Sequence, residues 1–190
     1  MRTLSIAGIV CEVFAFSHQT ALPVMARDVL AAGPEGLGTL NGAAQVGGTL
    51  SVALLSILPG RVRREPLMGA VFLLYGAAIL TLAATGDLAV AAAVMLVTGA
   101  CAGAFDALQQ TLIQLAVPEG QRGRAVGVWV LGLGSAPLGH VEMGAMVAAI
   151  GAPGALAING VLVLASAAAL LARAPAYRWR LVAGVAQPDL

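Results

Sequence analysis

Apolar residues run along this chain in blocks of the length a membrane helix needs, about 20 residues, and polar residues cluster between the blocks. Six blocks are visible, at about residues 4–24, 37–58, 66–84, 88–117, 125–150 and 154–171. The breaks are chemical: "ARDVLAAGPEG", "PGRVRREP", "TGD", "VPEGQRGR", "GAPG" and "RAPAYRWR" interrupt the runs with Gly, Pro and charge, the residues that punctuate regular structure. The pattern predicts an all-α membrane protein with six transmembrane helices in residues 1–172 and a tail over 173–190.

Composition supports lipid as the main solvent. Charged residues make up 10% of the chain and apolar residues 59%, whereas a soluble domain carries about 25% charged residues. So few charges cannot cover a globular surface in water. The net charge of +1 says nothing about nucleic acid, and without a basic patch with interleaved aromatics no nucleic-acid partner is expected. The bilayer is the partner that composition implies.

The positions of the charges set the orientation. All ten basic residues are Arg. Arg2, Arg61, Arg63, Arg64, Arg122, Arg124, Arg173, Arg178 and Arg180 fall on one side of the six blocks, and Arg27 alone falls on the other, beside Asp28 and Glu35. The positive-inside rule then places both termini in the cytoplasm of a cell-membrane protein. Trp129, Tyr177 and Trp179 suit the aromatic belt of that face. "MRTLSIAGIVCEVFAF" resembles a signal peptide, with "VMA" at 24–26 as a cleavage site, but the acid in its apolar run and the five blocks that follow favour an uncleaved first helix.

Gly38-x-x-x-Gly42, Gly99-x-x-x-Gly103 and Gly123-x-x-x-Gly127 have the spacing that lets membrane helices approach closely. Cys11 and Cys101 lie in apolar runs without metal or redox spacing and read as small hydrophobes. The second and fifth blocks both open Gly-rich from a turn, which suits two inverted three-helix repeats.

Polar residues inside the blocks carry the candidate chemistry, because an ionisable group in hydrocarbon is costly and usually faces a cavity or a partner. Asp106, Gln110 and Gln114 are four apart and form a stripe on the fourth helix, with Gln109 at its edge. Asn41, Gln45, Thr49 and Ser56 form a stripe on the second. Ser5, Glu12 and Gln19 recur every seven residues on the first, and Ser135, Gly139 and Glu142 share a face of the fifth. Four polar helix faces point to a wet pathway with Glu12 and Asp106 as its acids. Interhelical hydrogen bonds at Asn41 and Gln45, and headgroup contacts at Gln109 and Gln114, remain open as alternatives.

Catalysis and metal binding find little support. His140 and Glu142 point roughly 200° apart on a regular helix, and His18 lies off the Glu12 face, so the two histidines read as interfacial or core residues. Ser135 and His140 are five apart, too poorly aligned for a nucleophile and its base, and the chain lacks H-E-x-x-H and G-x-x-x-x-G-K. No cofactor is expected.

Two stretches carry a family resemblance. "ALPVMARDVLAAGPEGLGTLNGAAQVGGTLSVALL" resembles helices seven and eight of major facilitator superfamily transporters, in the branch of the enterobactin exporter and related transmembrane secretion and efflux proteins, through Leu22, Pro23, Gly33, Gly36, Leu37 and Gly38. "VPEGQRGRAVGVW" resembles the same branch's loop between helices ten and eleven, through Pro118, Glu119, Arg122, Gly123 and Arg124. The resemblance implies that the six blocks are helices seven to twelve of a twelve-helix fold. It also implies proton-driven export of a small organic molecule, siderophore or drug-like, by alternating access. The superfamily's cytoplasmic Asp-Arg-x-Gly-Arg-Arg loop is reduced here to "PGRVRRE", with Arg61, Arg63 and Arg64 kept and the Asp and the Gly missing. Arg122 and Arg124 read as topology signals or as gating contacts to another half. A half-transporter needs an N-terminal half or a second copy of itself to close its cavity. The alternative is a six-helix fragment or partner subunit without transport of its own.

Overall fold

The computed structural model describes residues 2–57 and 64–185, with side chains placed at 6–57, 64 and 66–172. Arg61 and Arg63 lie outside the described residues, as do the side chains of Arg2, Ser5, Arg173, Tyr177, Arg178, Trp179 and Arg180. Among the described residues the chain is all helical, with no strand.

The first apolar block is wound irregularly. It comprises α1 (Arg2–Val10), a π-helical turn (Cys11–Ala15), α2 (His18–Val24) and a second π-helical turn (Met25–Val29). Phe16 N–H donates to Cys11 O and Leu30 N–H to Met25 O, both at 2.9 Å. Each bond spans five residues, so each turn holds one residue more than an α-turn. Pro23 lies inside α2 and has no N–H to give the ladder.

Long regular helices follow: α3 (Gly33–Ile57), α4 (Arg64–Ala84) and α5 (Leu88–Leu115). Asp87 caps α5, accepting from Val90 N–H at 2.8 Å and so satisfying one of the free donors of the first turn. A 3-10 turn (Glu119–Gln121) leads to α6 (Arg122–Leu133) and α7 (Ala136–Val185). Inside α7, Gly151 has φ 78° and ψ 163°, a conformation that suits a residue without Cβ.

The sequence predicts six spans, whereas among the described residues five helical stretches are long and apolar enough to cross a bilayer: Ile6–Val29, Gly33–Ile57, Pro66–Ala84, Leu88–Leu115 and Glu119–Ala172. The difference lies in the last. The blocks at 125–150 and 154–171 run into one stretch of 54 residues, interrupted by the turn at Gly134 and Ser135 and by the bend at Gly151.

Glycine contacts fix how the helices lie. Gly99 of α5 packs on the backbone of Ala44 in α3, and Gly103 on that of Gly48, so α3 and α5 run parallel. Gly69 meets Leu171, Gly76 meets Leu164 and Gly160 meets Leu80, so α4 and the second limb of α7 run antiparallel. Gly139 abuts the Val13 backbone and Gly144 the Thr20 side chain, so the first block runs parallel to the first limb of α7. Gly8 abuts Gln109, so the first block opposes α5. These registers gather Val29, Ala84, Leu88 and Gly151 at one end of the bundle. Arg64, Leu115 and Arg122 lie at the other.

One of the three G-x-x-x-G motifs makes a helix contact here. Gly99 and Gly103 pack against α3, while Gly38, Gly42, Gly123 and Gly127 have nothing within 4 Å of where a side chain would begin. The core is formed by Leu22, Met25, Phe72, Tyr75, Phe105 and Leu156 among others, all nearly fully buried.

Candidate functional site

The irregular first block places the acid. Glu12 sits in the π-helical turn and is 8% exposed, and Cys11 and Ala15 beside it are buried. Opposite stands Asp106, half-buried on α5. The two carboxylates are near enough to interact electrostatically, and Tyr75 and Cys11 lie within the same field. Ring contacts hold this region together. Phe72 and Phe105 pack at 4.9 Å between centroids, and the Tyr75 ring stands edge-on to Phe16 at 5.9 Å and to His18 at 6.0 Å. The Tyr75 hydroxyl is buried with no hydrogen-bond partner.

A second polar group lies nearer the Gly151 end. Asn159, fully buried in the second limb of α7, donates from Nδ2 to Ser17 Oγ at 3.1 Å and to Glu142 Oε2 at 3.2 Å. Its Oδ1 is buried without a partner. Ser17 Oγ in turn donates to Phe14 O at 3.3 Å. His18 Nδ1 is bonded to Ala15 O at 2.6 Å, and Thr20 Oγ1 is bonded to His140 Nδ1 at 2.8 Å. At a rise of 1.5 Å per residue, Asp106 lies about 27 Å from the Gly151 end of the bundle and Asn159 about 12 Å from it. The two groups sit at different depths in the bundle.

The other candidate residues spread outward. Gln110 and Gln114 are half-buried on α5, and Gln109 is buried, packed on Gly8. Asn41 and Gln45 are exposed on α3, whose buried residues are Gly36, Leu40 and Gly47. Gln19 is exposed rather than sharing the Glu12 face. Arg64 is half-buried at the start of α4, while Arg122 and Arg124 are exposed, with Arg122 Nη2 3.4 Å from Glu119 Oε1. His140 and Glu142 have different partners, as their helical spacing predicts. Ser135 donates to Gly132 O at 2.7 Å. Among the described residues no three His, Cys, Asp or Glu side chains gather to hold a metal.

Sequence reasoning did not single out Asn159, Ser17 or Tyr75 as site residues. For Asn159 the signal was present: it is the sole amide in the apolar run 154–171, and an amide inside a membrane helix seeks a partner there as much as Asn41 does on the second block.

A model of the family described as transmembrane secretion effector matches residues 1–183. No curated protein matches the chain. Several membrane-length apolar helices, a buried acid at Glu12 and glycine-mediated helix crossings fit what that match says. The chain belongs to the transmembrane secretion effector family, a group of transporters of the major facilitator type.

Proposed function

We propose that this protein is a proton-driven exporter of a small organic molecule and that the chain supplies helices seven to twelve of its fold. The family points to a transporter rather than an enzyme. The stretch Glu119–Ala172 counts as two crossings in this reading, since 54 residues of helix would extend about 81 Å, far beyond a hydrocarbon core of about 30 Å. Six crossings form two inverted three-helix repeats, and both termini lie in the cytoplasm of the cell membrane.

The observation that carries the reading is that Glu12 in the first block and Asp106 on α5 are near enough to interact electrostatically. Packing alone gives no reason to hold two acids together in a bilayer, where charge is expensive. A proton or a cationic group on the substrate relieves their mutual repulsion, which is strong where the dielectric is low. Gln110 and Gln114 continue the polar face of Asp106, and Asn41, Gln45 and Gln19 offer hydrogen bonds from exposed positions. Rocking against the other half exposes the acids to each side in turn. Arg61, Arg63, Arg64, Arg122 and Arg124 mark the cytoplasmic face and, in the closed-inward state, pair with acids of the other half. The test is efflux from cells expressing Asp106→Asn: loss of efflux with normal membrane insertion supports the reading, and undiminished efflux removes Asp106 from the mechanism.

A second reading, a partner subunit without transport of its own, draws on the open face of α3. That helix buries Gly36, Leu40 and Gly47 and exposes Asn41, Gln45, Thr49 and Ser56. A polar stripe facing lipid is unfavourable, so either reading needs a cover for α3, from an N-terminal half or from a second copy. The mass of the complex drawn from native membranes in mild detergent separates them.

A further inference from the structure

Asn159 makes a node rather than a single contact. Three separately wound segments meet at it: Ser17 in the first block, Glu142 in the first limb of α7, and Asn159 itself beyond the Gly151 bend. Both N–H bonds of the amide are used, and its carbonyl oxygen is buried with no donor to meet it. A buried carbonyl left unpaired is unfavourable and calls for a reason. An asparagine amide turns about its last bond between two orientations, and each suits a different state of the carboxyl group beside it. An ionised Glu142 only accepts, which the present Nδ2 contact serves. A protonated Glu142 carries one O–H to donate, and Oδ1 is then the atom it needs.

We propose that Ser17, Asn159 and Glu142 form a proton-binding site separate from Glu12 and Asp106, with Asn159 turning its amide to match the load. The proposal rests on the exporter reading in one respect: it makes Glu142 the seat of the coupling proton and leaves the deeper acid pair to the substrate. One proton from the aqueous side adds to Glu142 Oε2 and the carboxylate charge is neutralised. The new O–H donates to Asn159 Oδ1, and Ser17 Oγ turns its own hydrogen from Phe14 O to the same oxygen. Nδ2 gives up Ser17 Oγ and Glu142 Oε2 and turns into the space Oδ1 held. Removal of a charge from the membrane interior offsets the loss of those two bonds. The depth fits the task, since the node lies nearer the end with Arg27 and Asp28, opposite Arg122, than the acid pair does. The titratable groups on the surrounding elements are few. Within the spans they are Cys11, Glu12 and His18 on the first block, Tyr75 on α4, Cys101 and Asp106 on α5, and His140 on the limb of Glu142. His18 and His140 are bonded to Ala15 O and Thr20 Oγ1, away from the node.

Infrared difference spectroscopy between alkaline and acid conditions, on the full protein in lipid nanodiscs, tests this without any substrate. The expected spectrum holds a protonated-carboxyl band that vanishes in Glu142→Gln, together with an amide band that moves when asparagine is labelled with carbon-13. That labelled band should vanish in Glu142→Gln as well, although the asparagine is still there. In Asn159→Leu, and more weakly in Ser17→Ala, the carboxyl band should persist at the position of a less hydrogen-bonded acid. Glu142→Gln keeps an acceptor for Nδ2, so loss of signal there is not loss of fold. A spectrum with no carboxyl band lost in Glu142→Gln overturns the proposal, and so does an asparagine band indifferent to that substitution. Failure of the exporter reading would leave these spectra unchanged and would appear as an absence of efflux from cells expressing the parent protein.

Discussion

Gly99 on α5 lies against the backbone carbonyl of Ala44 on α3, with no space between them for a side chain. A methyl at that position meets backbone rather than a flexible side-chain tip, so the helices must part. Gly139 stands in the same relation to Val13. Gly127, with open space around it, is the natural control. Gly99→Ala and Gly139→Ala should each destabilise the protein by about 1–3 kcal/mol, the usual result of overpacking. Gly127→Ala should be neutral or stabilising by about 0.5–1 kcal/mol through helix propensity. Thermal unfolding in detergent measures all three, and equal midpoints would mean that the α3–α5 crossing is not close.

The acid pair predicts function without stability. Asp106→Asn and Glu12→Gln keep size and hydrogen-bonding capacity but remove charge that is unfavourable in the membrane. Both variants should insert and melt like the parent or slightly higher, while efflux falls to background. Efflux and melting point measured on the same preparations check the split. A fall in both together would assign the acids to structure instead.

Open glycines predict a partner. Gly38 and Gly42 present a small-residue face with nothing among the described residues within 4 Å of where a side chain would begin. Leucine at both positions should leave the chain's own stability within about 0.5 kcal/mol, as for surface changes generally, and yet disrupt its complex. Native mass measurement reads this directly: a complex that survives Gly38→Leu with Gly42→Leu is not assembled through that face.

How much of this was legible in sequence depended on how regular each helix is. The apolar runs that became α4 and α5 fold with caps and glycine contacts that the letters carry, and Asp106, Gln110 and Gln114 share a face because α5 is unbroken. The first block defeats such counting. A π-helical turn at Cys11–Ala15 adds a residue, and one residue of helix is about 100° of rotation. Beyond it, the seven-residue spacing from Glu12 no longer leads to the buried face. Gln19 turns outward, and Ser17 and His18 turn in. That turn packs through Val13 against Gly139 of α7, a contact no local pattern records. The run from Glu119 to Ala172 differs for the opposite reason, because its bend at Gly151 occupies a single residue and leaves helix on both sides.

Cysteine chemistry offers a test of orientation. Cys11 and Cys101 are free and buried, at 1% and 3% exposure, so an impermeant maleimide should leave the parent protein unlabelled in intact cells and in opened membranes. Against that blank, Arg27→Cys should label from outside the cell and Arg124→Cys only after the membrane is opened. Labelling of Arg124→Cys in intact cells would reverse the topology.

The surplus residues in the first block have a mechanical meaning. A helix wound with one residue too many resembles a carpet with a ruck in it: the ruck travels when one hydrogen bond is exchanged for its neighbour, and no more than one turn is ever undone. Each passage shifts the segment behind it by one residue and swings its side chains through a quarter of a circle or so. With a ruck at Cys11–Ala15 and another at Met25–Val29, the stretch between them, which carries Ser17, His18 and Thr20, is the part of the span whose rotation such an exchange would set.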